Sequence, residues 1–135
     1  MLSQVGLLCP IKAGAAPQAL LEDLRYRMDV LIIEDAARGR LTLTAEGGGR
    51  FLAELSGEAR GLAEVLSGRR RDRYQTEMVY RDGRLVPLIY REESHRRGKQ
   101  SLKEYRFDYE QGRLELWQLK EREGHLVLKW ETALK

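Results

Sequence analysis

Apolar side chains recur at every second position over most of this chain, and this period constrains the fold more than any other feature. Leu24, Tyr26 and Met28 alternate with charged residues, and Leu41 and Leu43 continue the pattern. A period of two indicates strands, because helices repeat their apolar positions every 3.6 residues. The alternation returns in later stretches that begin at Phe51, Tyr74, Tyr105 and Leu126.

Turn signals separate these stretches, with no crossover helix between them. Asp-Gly and similar pairs tolerate the positive φ that tight hairpin turns need. One short segment near 61–67 has helical spacing, since Leu62, Val65 and Leu66 share a helical face. The predicted turns are Arg38-Gly39, Gly47–Gly49, Asp82-Gly83, Gln111-Gly112 and Glu123-Gly124.

These patterns predict an all-β fold, an antiparallel meander of seven or eight strands that forms a curved sheet or a partly open barrel. At most one short helix is expected, near 61–67. The chain divides into a flexible N-terminal segment, 1–22, and an antiparallel β domain, 23–135.

Two-residue turns also predict the pairing of side chains across each hairpin. Tyr80 is expected opposite Leu85, Thr76 opposite Ile89, Tyr109 opposite Leu114, and Trp117 opposite Trp130 on one face. Under this register, substantial apolar surface lies on both faces of the sheet. A sheet exposed to water on one side carries one polar face. The sheet is therefore expected to curl around a core, to be covered by a partner segment, or to hold an apolar ligand.

The charge balance allows an acidic partner without requiring one. The formal net charge is +3, from 24 basic and 21 acidic residues that are interspersed along the chain. The single cysteine, Cys9, cannot form an internal disulfide and belongs to no zinc-ligand cluster. No apolar run approaches the roughly eighteen residues that cross a bilayer.

The first eighteen residues differ in composition from the rest. They contain no acidic residue, and the small-residue run Ala13–Ala16 before Pro17 is similar to the end of a secretory leader. We interpret the segment as the trimmed tail of an export signal, which predicts a periplasmic location. The alternative is an N-terminal extension with no targeting role.

The stretch from Tyr26 to about Leu116 resembles the bacterial domain of unknown function 3108 family. The resemblance is carried by the Gly83–Pro87 turn, by Tyr105–Tyr109 with its phenylalanine-aspartate pair, and by the Gly112 turn that follows. It implies an exported, mostly β protein of the Gram-negative cell envelope without an assigned activity. The family continues beyond the last strand seen here, which implies that its C-terminal part is missing from this chain.

No group of residues forms a catalytic or metal-binding pattern, so we predict neither an enzyme nor a cofactor. His95 and His125 lie thirty residues apart without further ligands, whereas a metal needs three or four. Glu92 and Glu93 are neighbours on a strand and point to opposite faces. Ser94 beside His95 lacks the strained turn of a nucleophilic serine.

The apolar pattern favours a non-enzymatic module that binds a hydrophobic ligand, such as a lipid, or a partner segment. Ligand cavities in proteins are lined mainly by apolar and aromatic side chains. The oligomeric state is left open by the sequence. The candidate residues for a hydrophobic ligand are Tyr105, Phe107, Tyr109, Leu114, Leu116, Trp117 and Trp130.

Two basic clusters at predicted turns are candidates for an anionic group, because arginine forks suit phosphate and carboxylate. A basic nucleic-acid-binding β domain is the alternative function, and it requires exposed aromatics interleaved with the bases. A purely structural envelope protein is the other alternative. The basic candidates are Arg69, Arg70, Arg71, Arg73, Arg96, Arg97 and Lys99.

Overall fold

The computed structural model of the protein describes residues 18–123 and 125–134, and for 125–134 it describes the backbone alone. Eight strands and one short helix make up the described chain. The predicted all-β fold is confirmed. The elements are β1 (Ala19–Val30), β2 (Ile33–Gly47), β3 (Arg50–Ala59), α1 (Gly61–Leu66), β4 (Arg71–Arg81), β5 (Arg84–Arg96), β6 (Lys99–Asp108), β7 (Arg113–Arg122) and β8 (His125–Leu134).

All eight strands belong to one antiparallel sheet whose spatial order equals the sequence order. Within the described residues, the two edge strands β1 and β8 do not pair with each other. The sheet is therefore an open meander and not a closed barrel. β1 begins at Ala19, within the segment that the sequence assigned to the N-terminal region. No described helix is long and apolar enough to cross a membrane.

The sheet is a single layer. Each inner strand contacts its two sheet neighbours, β1 and β8 contact one neighbour each, and α1 contacts β2 and β3. Among residues 18–123, only Ala36 and Glu104 are buried, at 2% and 9% exposure. The apolar residues of α1 do not cover the sheet, because Leu62, Val65 and Leu66 are at least 60% exposed. A sheet needs a second layer over its apolar face to form a core, and the described residues do not supply one.

The turns agree with the predictions at Gly47–Gly49 and at Asp82-Gly83. Asp82 and Gly83 have φ of +52° and +79°, the left-handed values that a two-residue hairpin turn requires. The pairing of Arg122 with His125 confirms a hairpin between β7 and β8, although Gly124 lies outside the described residues.

The turn predicted at Arg38-Gly39 is wrong. Both residues lie inside β2, and the hairpin between β1 and β2 turns at Leu31-Ile32 instead. Gly39 does not adopt a positive φ, and a Cβ at this position would make ordinary contacts, 3.4 Å from the Ser56 carbonyl oxygen and 3.8 Å from the Tyr26 Cβ, so nothing there requires a turn. Leu31 adopts a φ of +53° in this turn. Leucine rarely adopts such a φ, so a Leu-Ile pair does not indicate a turn in the sequence.

Three irregularities change the predicted pairings. An extra residue, Leu88, forms a bulge after Pro87, so Thr76 pairs with Tyr90 and not with Ile89. Proline has no N–H for the ladder, and bulges are where sheets accommodate it. The pairing Trp117–Trp130 is also wrong.

That second error comes from a bulge between β7 and β8. Leu119 pairs with Leu128 as the two-residue turn predicts, but the next step along β8 spans two residues. Gln118 therefore pairs with Trp130, and Trp117 pairs with Glu131. A shift of one residue moves a side chain to the opposite face.

The connection between β6 and β7 spans 109–112 and not two residues. Asp108 accepts a hydrogen bond from the backbone N–H of Gln111 at 3.0 Å, which opens the turn. Phe107 consequently pairs with Leu114, where Tyr109 was predicted. The shift is two residues, so the predicted faces are retained.

Candidate functional site

The strand register separates the side chains into two chemically different faces. Direct cross-strand partners lie on the same face of a sheet. One row across β2 to β7 consists of Leu43, Ala53, Thr76, Tyr90, Tyr105 and Leu116. With the neighbouring rows it forms an apolar surface, which we call the aromatic face: Phe51, Tyr74, Met78, Tyr90, Tyr105, Phe107, Leu114 and Leu116.

Aromatic rings contact each other on this face. The ring centroids of Tyr90 and Tyr105 lie 5.6 Å apart, and those of Phe107 and Tyr109 lie 6.2 Å apart and nearly parallel. The Tyr109 hydroxyl donates to the Pro87 carbonyl at 2.6 Å, which holds the ring over the end of the face. Burial, with a smaller contribution from Glu92, raises the pKa of the Tyr90 hydroxyl above 10.0. The face is thus ordered but half exposed.

The structure brings together most of the predicted hydrophobic candidates. Tyr105, Phe107, Leu114 and Leu116 form two neighbouring cross-strand pairs, and Tyr109 joins them by stacking.

Trp117 does not belong to this group. It pairs with Glu104 on the opposite face, where the Arg106 guanidinium lies 5.0 Å from its ring centroid. Its Nε1 is buried without a hydrogen-bond acceptor among the described residues. The side chain of Trp130 lies outside the described residues.

Sequence reasoning missed Tyr90, Met78 and Phe51 on the aromatic face. Tyr90 was assigned to the other face, because the bulge at Leu88 reverses the alternation beyond Pro87. The proline itself is the only local signal for that bulge.

A small polar pocket of about 170 Å³ adjoins the aromatic face at Tyr74. Ser94 and Ser101 pair across β5 and β6, and Lys103 pairs with Glu92 one row further along the same face. The Ser94 hydroxyl donates to Asp72 Oδ1 at 2.7 Å. The face is therefore apolar over most of its length and polar at one end.

The opposite face carries a network of charges, and we call it the charged face. Arg91 donates to Glu77 at 2.5 Å and to Glu104 at 2.6 Å, and Arg106 donates to Glu104 at 2.6 Å. Burial raises the pKa of the Glu104 carboxyl, but the hydrogen bonds from the two arginines lower it by more, so it lies below 4.5. Glu104 stays ionised because two guanidinium groups neutralise it.

A cavity of about 740 Å³ opens on the charged face, near the end of the sheet where α1 lies. Five strands and two connections supply its walls. We call it the arginine cavity, since two glutamates of the charged face, Glu58 and Glu93, line it together with a larger number of arginines: Arg25, Arg38, Arg40, Arg69, Arg71, Arg73 and Arg96.

Two cross-strand rows place these arginines next to each other. Like charges directly opposite each other destabilise a sheet, yet Arg25 pairs with Arg40 in the first row. That row consists of Arg25, Arg40, Ser56 and Arg73. The second consists of Arg27, Arg38, Glu58, Arg71 and His95.

Two arginines of the cavity are held by carboxylates at its β1–β2 side. Arg40 forms a bidentate pair with Asp23, at 2.8 and 3.0 Å, and Arg38 forms one with Asp35, at 3.0 and 2.7 Å. These hydrogen bonds lower the pKa of both aspartates below 3.8. Their guanidinium groups are fixed in position and largely neutralised.

The arginines on the β4 side have no such close partner. Arg71 lies 4.0 Å from Glu58, and Arg73 lies 3.9 Å from Glu54 and 3.7 Å from Glu93, all beyond hydrogen-bond distance. Arg96 donates to the Ser67 carbonyl at 3.1 Å. Within residues 18–123, these guanidinium groups keep most of their donors available.

The predicted basic clusters are split by the structure. Arg69, Arg71, Arg73 and Arg96 line the arginine cavity. Arg70, Arg97 and Lys99 do not: Arg70 donates to Asp72 at 2.7 Å beside the small polar pocket, and the Arg97 side chain lies against Gly68. The sequence did not single out Arg25, Arg38 and Arg40, which reach the cavity through strand pairing alone.

Of the residues considered for catalysis, the structure brings only Glu93 and His95 into contact among the side chains that it describes. Glu92 and Glu93 lie on opposite faces, as strand alternation predicts. His95 contacts Glu93 at 3.0 Å on the charged face, and the His125 side chain lies outside the described residues. Within the part of the chain that the structure describes, no three His, Cys, Asp or Glu residues form a cluster that could bind a metal.

Comparisons of the chain with protein-family models, with curated proteins and with solved structures find no match. The resemblance to the domain of unknown function 3108 family stays a prediction from the sequence.

Proposed function

We propose that the protein is a non-enzymatic binding module whose aromatic face binds the acyl chain of an amphiphilic ligand. The observation that carries this proposal is the separation of the two faces. The aromatic face presents rings and aliphatic side chains, half exposed, with no second layer over them in residues 18–123. Contiguous apolar surface of this kind is a hallmark of interaction sites in soluble proteins.

The form of the aromatic face supports an amphiphile over a purely apolar ligand. Its apolar part extends from Phe51 to Leu114, and its other end holds Ser94, Ser101 and Lys103 around the small polar pocket. An acyl chain along the rings would place a polar headgroup at this pocket, where Asp72 and Glu92 contact Ser94 and Lys103. Each methylene group removed from water contributes about 0.8 kcal/mol. The affinity for an acyl chain therefore rises with the number of methylene groups that lie against the aromatic face.

The separation also disfavours the nucleic-acid alternative. A sheet that stacks bases needs aromatic and basic side chains on one surface. Tyr105 and Phe107 lie on the aromatic face, whereas Arg73 and Arg91 lie on the other. A purely structural role is the remaining alternative, and it predicts that no small ligand binds.

Binding of an uncharged probe tests this proposal. Nile red is suitable because it has no charge to attract it to the arginines. We expect saturable fluorescence enhancement with the full chain, displacement by monoolein, and a co-purified lipid in native mass spectrometry. Absence of both saturable probe binding and bound lipid would overturn the proposal and leave the structural role.

We also propose that the protein acts in the bacterial cell envelope, in the periplasm. The support is the sequence resemblance and the leader-like run Ala13–Ala16. Fractionation of cells that express the natural gene product tests this location. Recovery in the cytoplasmic fraction would contradict it.

A further inference from the structure

We propose that the arginine cavity binds a phosphorylated group that carries at least two negative charges. The cavity lies on the face opposite to the aromatic face, so this inference does not depend on the proposed function. Its volume, about 740 Å³, is within the range of small-ligand sites.

The charge arrangement is the first argument. Facing arginines such as Arg25 and Arg40 repel each other, but Asp23 offsets this repulsion, because it lies 2.8 Å from Arg40 and 3.6 Å from Arg25. Arg71 and Arg73 on β4 have no comparably close carboxylate. An anionic ligand would offset the positive charge on the β4 side.

The available donors are the second argument. Arg71 and Arg73 are two residues apart on β4, so their side chains leave the same face of the strand. Arg96, the last residue of β5, and the connection residue Arg69 line the α1 end of the same cavity. Guanidinium groups bind phosphate oxygens in pairs, through two parallel N–H donors. Several such forks around one cavity suit a phosphoryl group better than a single carboxylate.

The third argument is that hydrogen bonds within the protein hold the walls of the cavity in place. Arg38 and Arg40 are fixed by bidentate aspartate pairs at one wall. At the other wall, the Arg97 backbone N–H donates to the Gly68 carbonyl at 2.7 Å and fastens the β5–β6 turn to the chain after α1. Hydrogen bonds therefore hold both walls of the cavity in place before a ligand arrives, which lowers the entropic cost of binding.

Calorimetric titration of the full chain with inorganic diphosphate tests the site. We expect saturable binding at low salt that weakens at higher ionic strength. Arg73→Gln should weaken binding by about tenfold, because a hydrogen bond to a charged group contributes about 1.5–3 kcal/mol. Arg96→Gln, from a different element, should weaken it in the same direction.

Arg81→Gln is the matched control. Arg81 lies on β4 like Arg73 but at its far end, outside the cavity. We expect the control to change the affinity less than twofold. Equal losses for Arg73→Gln and Arg81→Gln would indicate general charge attraction and would overturn the proposal, provided that the thermal unfolding midpoints of the variants agree.

Two further binding experiments identify the source of the phosphorylated group. Vesicles with cardiolipin in phosphatidylcholine, compared with phosphatidylcholine alone, test a lipid headgroup, because the cardiolipin headgroup carries two phosphates and two negative charges. Binding to these vesicles that is lost in Arg73→Gln supports the site with a lipid source, and binding of diphosphate alone supports it with a soluble source. Failure of both overturns the proposal, as does tighter binding of a single-stranded oligonucleotide that depends equally on Arg73 and Arg81.

Discussion

The two faces of this sheet differ in how their side chains are stabilised in water. On the charged face, a chain of charge-assisted hydrogen bonds joins oppositely charged side chains: Glu77, Arg91, Glu104 and Arg106. On the aromatic face, rings such as Tyr105 and Phe107 lie half exposed beside each other. A face that is neutralised internally can remain in solvent, whereas an apolar face gains free energy only when something covers it. The comparison indicates that the aromatic face requires an apolar occupant, whereas the part of the charged face around Glu104 requires none.

The largest effect should come from breaking the network of the charged face. Glu104→Gln is expected to lower the free energy of unfolding by about 2 kcal/mol, because it weakens the hydrogen bonds that Arg91 and Arg106 donate to a charged carboxylate. The side chain of Glu104 is only 12% exposed. Urea unfolding of both proteins measures the difference.

Glu58→Gln provides the control for that variant. The Glu58 side chain is 42% exposed and pairs with Arg60 at 3.2 Å, so its loss should cost about 0.5 kcal/mol or less. If both variants lost a similar amount of unfolding free energy, the hydrogen bonds around Glu104 would contribute no more to stability than an exposed ion pair.

The second prediction compares two leucines of β7. Leu116 lies on the aromatic face and Leu119, three residues later, lies on the charged face. Leu116→Ala should weaken Nile red binding about tenfold, since burying a leucine side chain contributes about 1.5–3 kcal/mol. Leu119→Ala should change it less than twofold. Equal effects on the dissociation constant would mean that the ligand does not distinguish the faces.

A smaller effect is expected at the hairpin that sets the register of β4 and β5. Gly83 has a φ of +79°, so Gly83→Ala should cost about 1 kcal/mol of unfolding free energy. Gly57→Ala is the matched control, because its new Cβ would lie 3.9 Å from the Arg38 carbonyl, an ordinary contact. Thermal or urea unfolding compares them, and a neutral Gly83→Ala would contradict this turn geometry.

The smallest effect concerns pH. The pKa of Glu104 is lower in the folded protein than its ordinary value of 4.5. Its ionised form therefore stabilises the fold fully above about pH 4.5, and this contribution is lost as the pH falls from there through the folded pKa. In Glu104→Gln, the unfolding free energy should therefore fall less steeply as the pH is lowered below about 4.5. An unchanged pH profile in the variant would assign the limb to other carboxylates.

The aromatic face was only partly predictable from the sequence. Tyr105, Phe107, Leu114 and Leu116 were recognised because an error of two residues in the β6–β7 connection preserves the face. Tyr90 was misplaced, because one extra residue after Pro87 reverses the alternation. Bulges depend on how two strands fit together, and local composition does not specify them.

The arginine cavity was still less accessible to sequence reasoning. Arg71 and Arg73 belong to a visible basic cluster, but Arg25 and Arg40 are separated from them by more than thirty residues. They meet only because three successive antiparallel strand pairings align β1 to β4.

The sequence by itself determined the class of fold, since the alternation of side chains and the Asp82-Gly83 turn are properties of neighbouring residues. The positive φ of that turn and the period of two need no distant contact. Only the tertiary structure decided which residues share a face, because that depends on the integer register between strands. The bulge at Leu88 moved Tyr90 onto the aromatic face, and the bulge in β8 separated Trp117 from Trp130. A single residue inserted into one strand is enough to exchange the two faces beyond it.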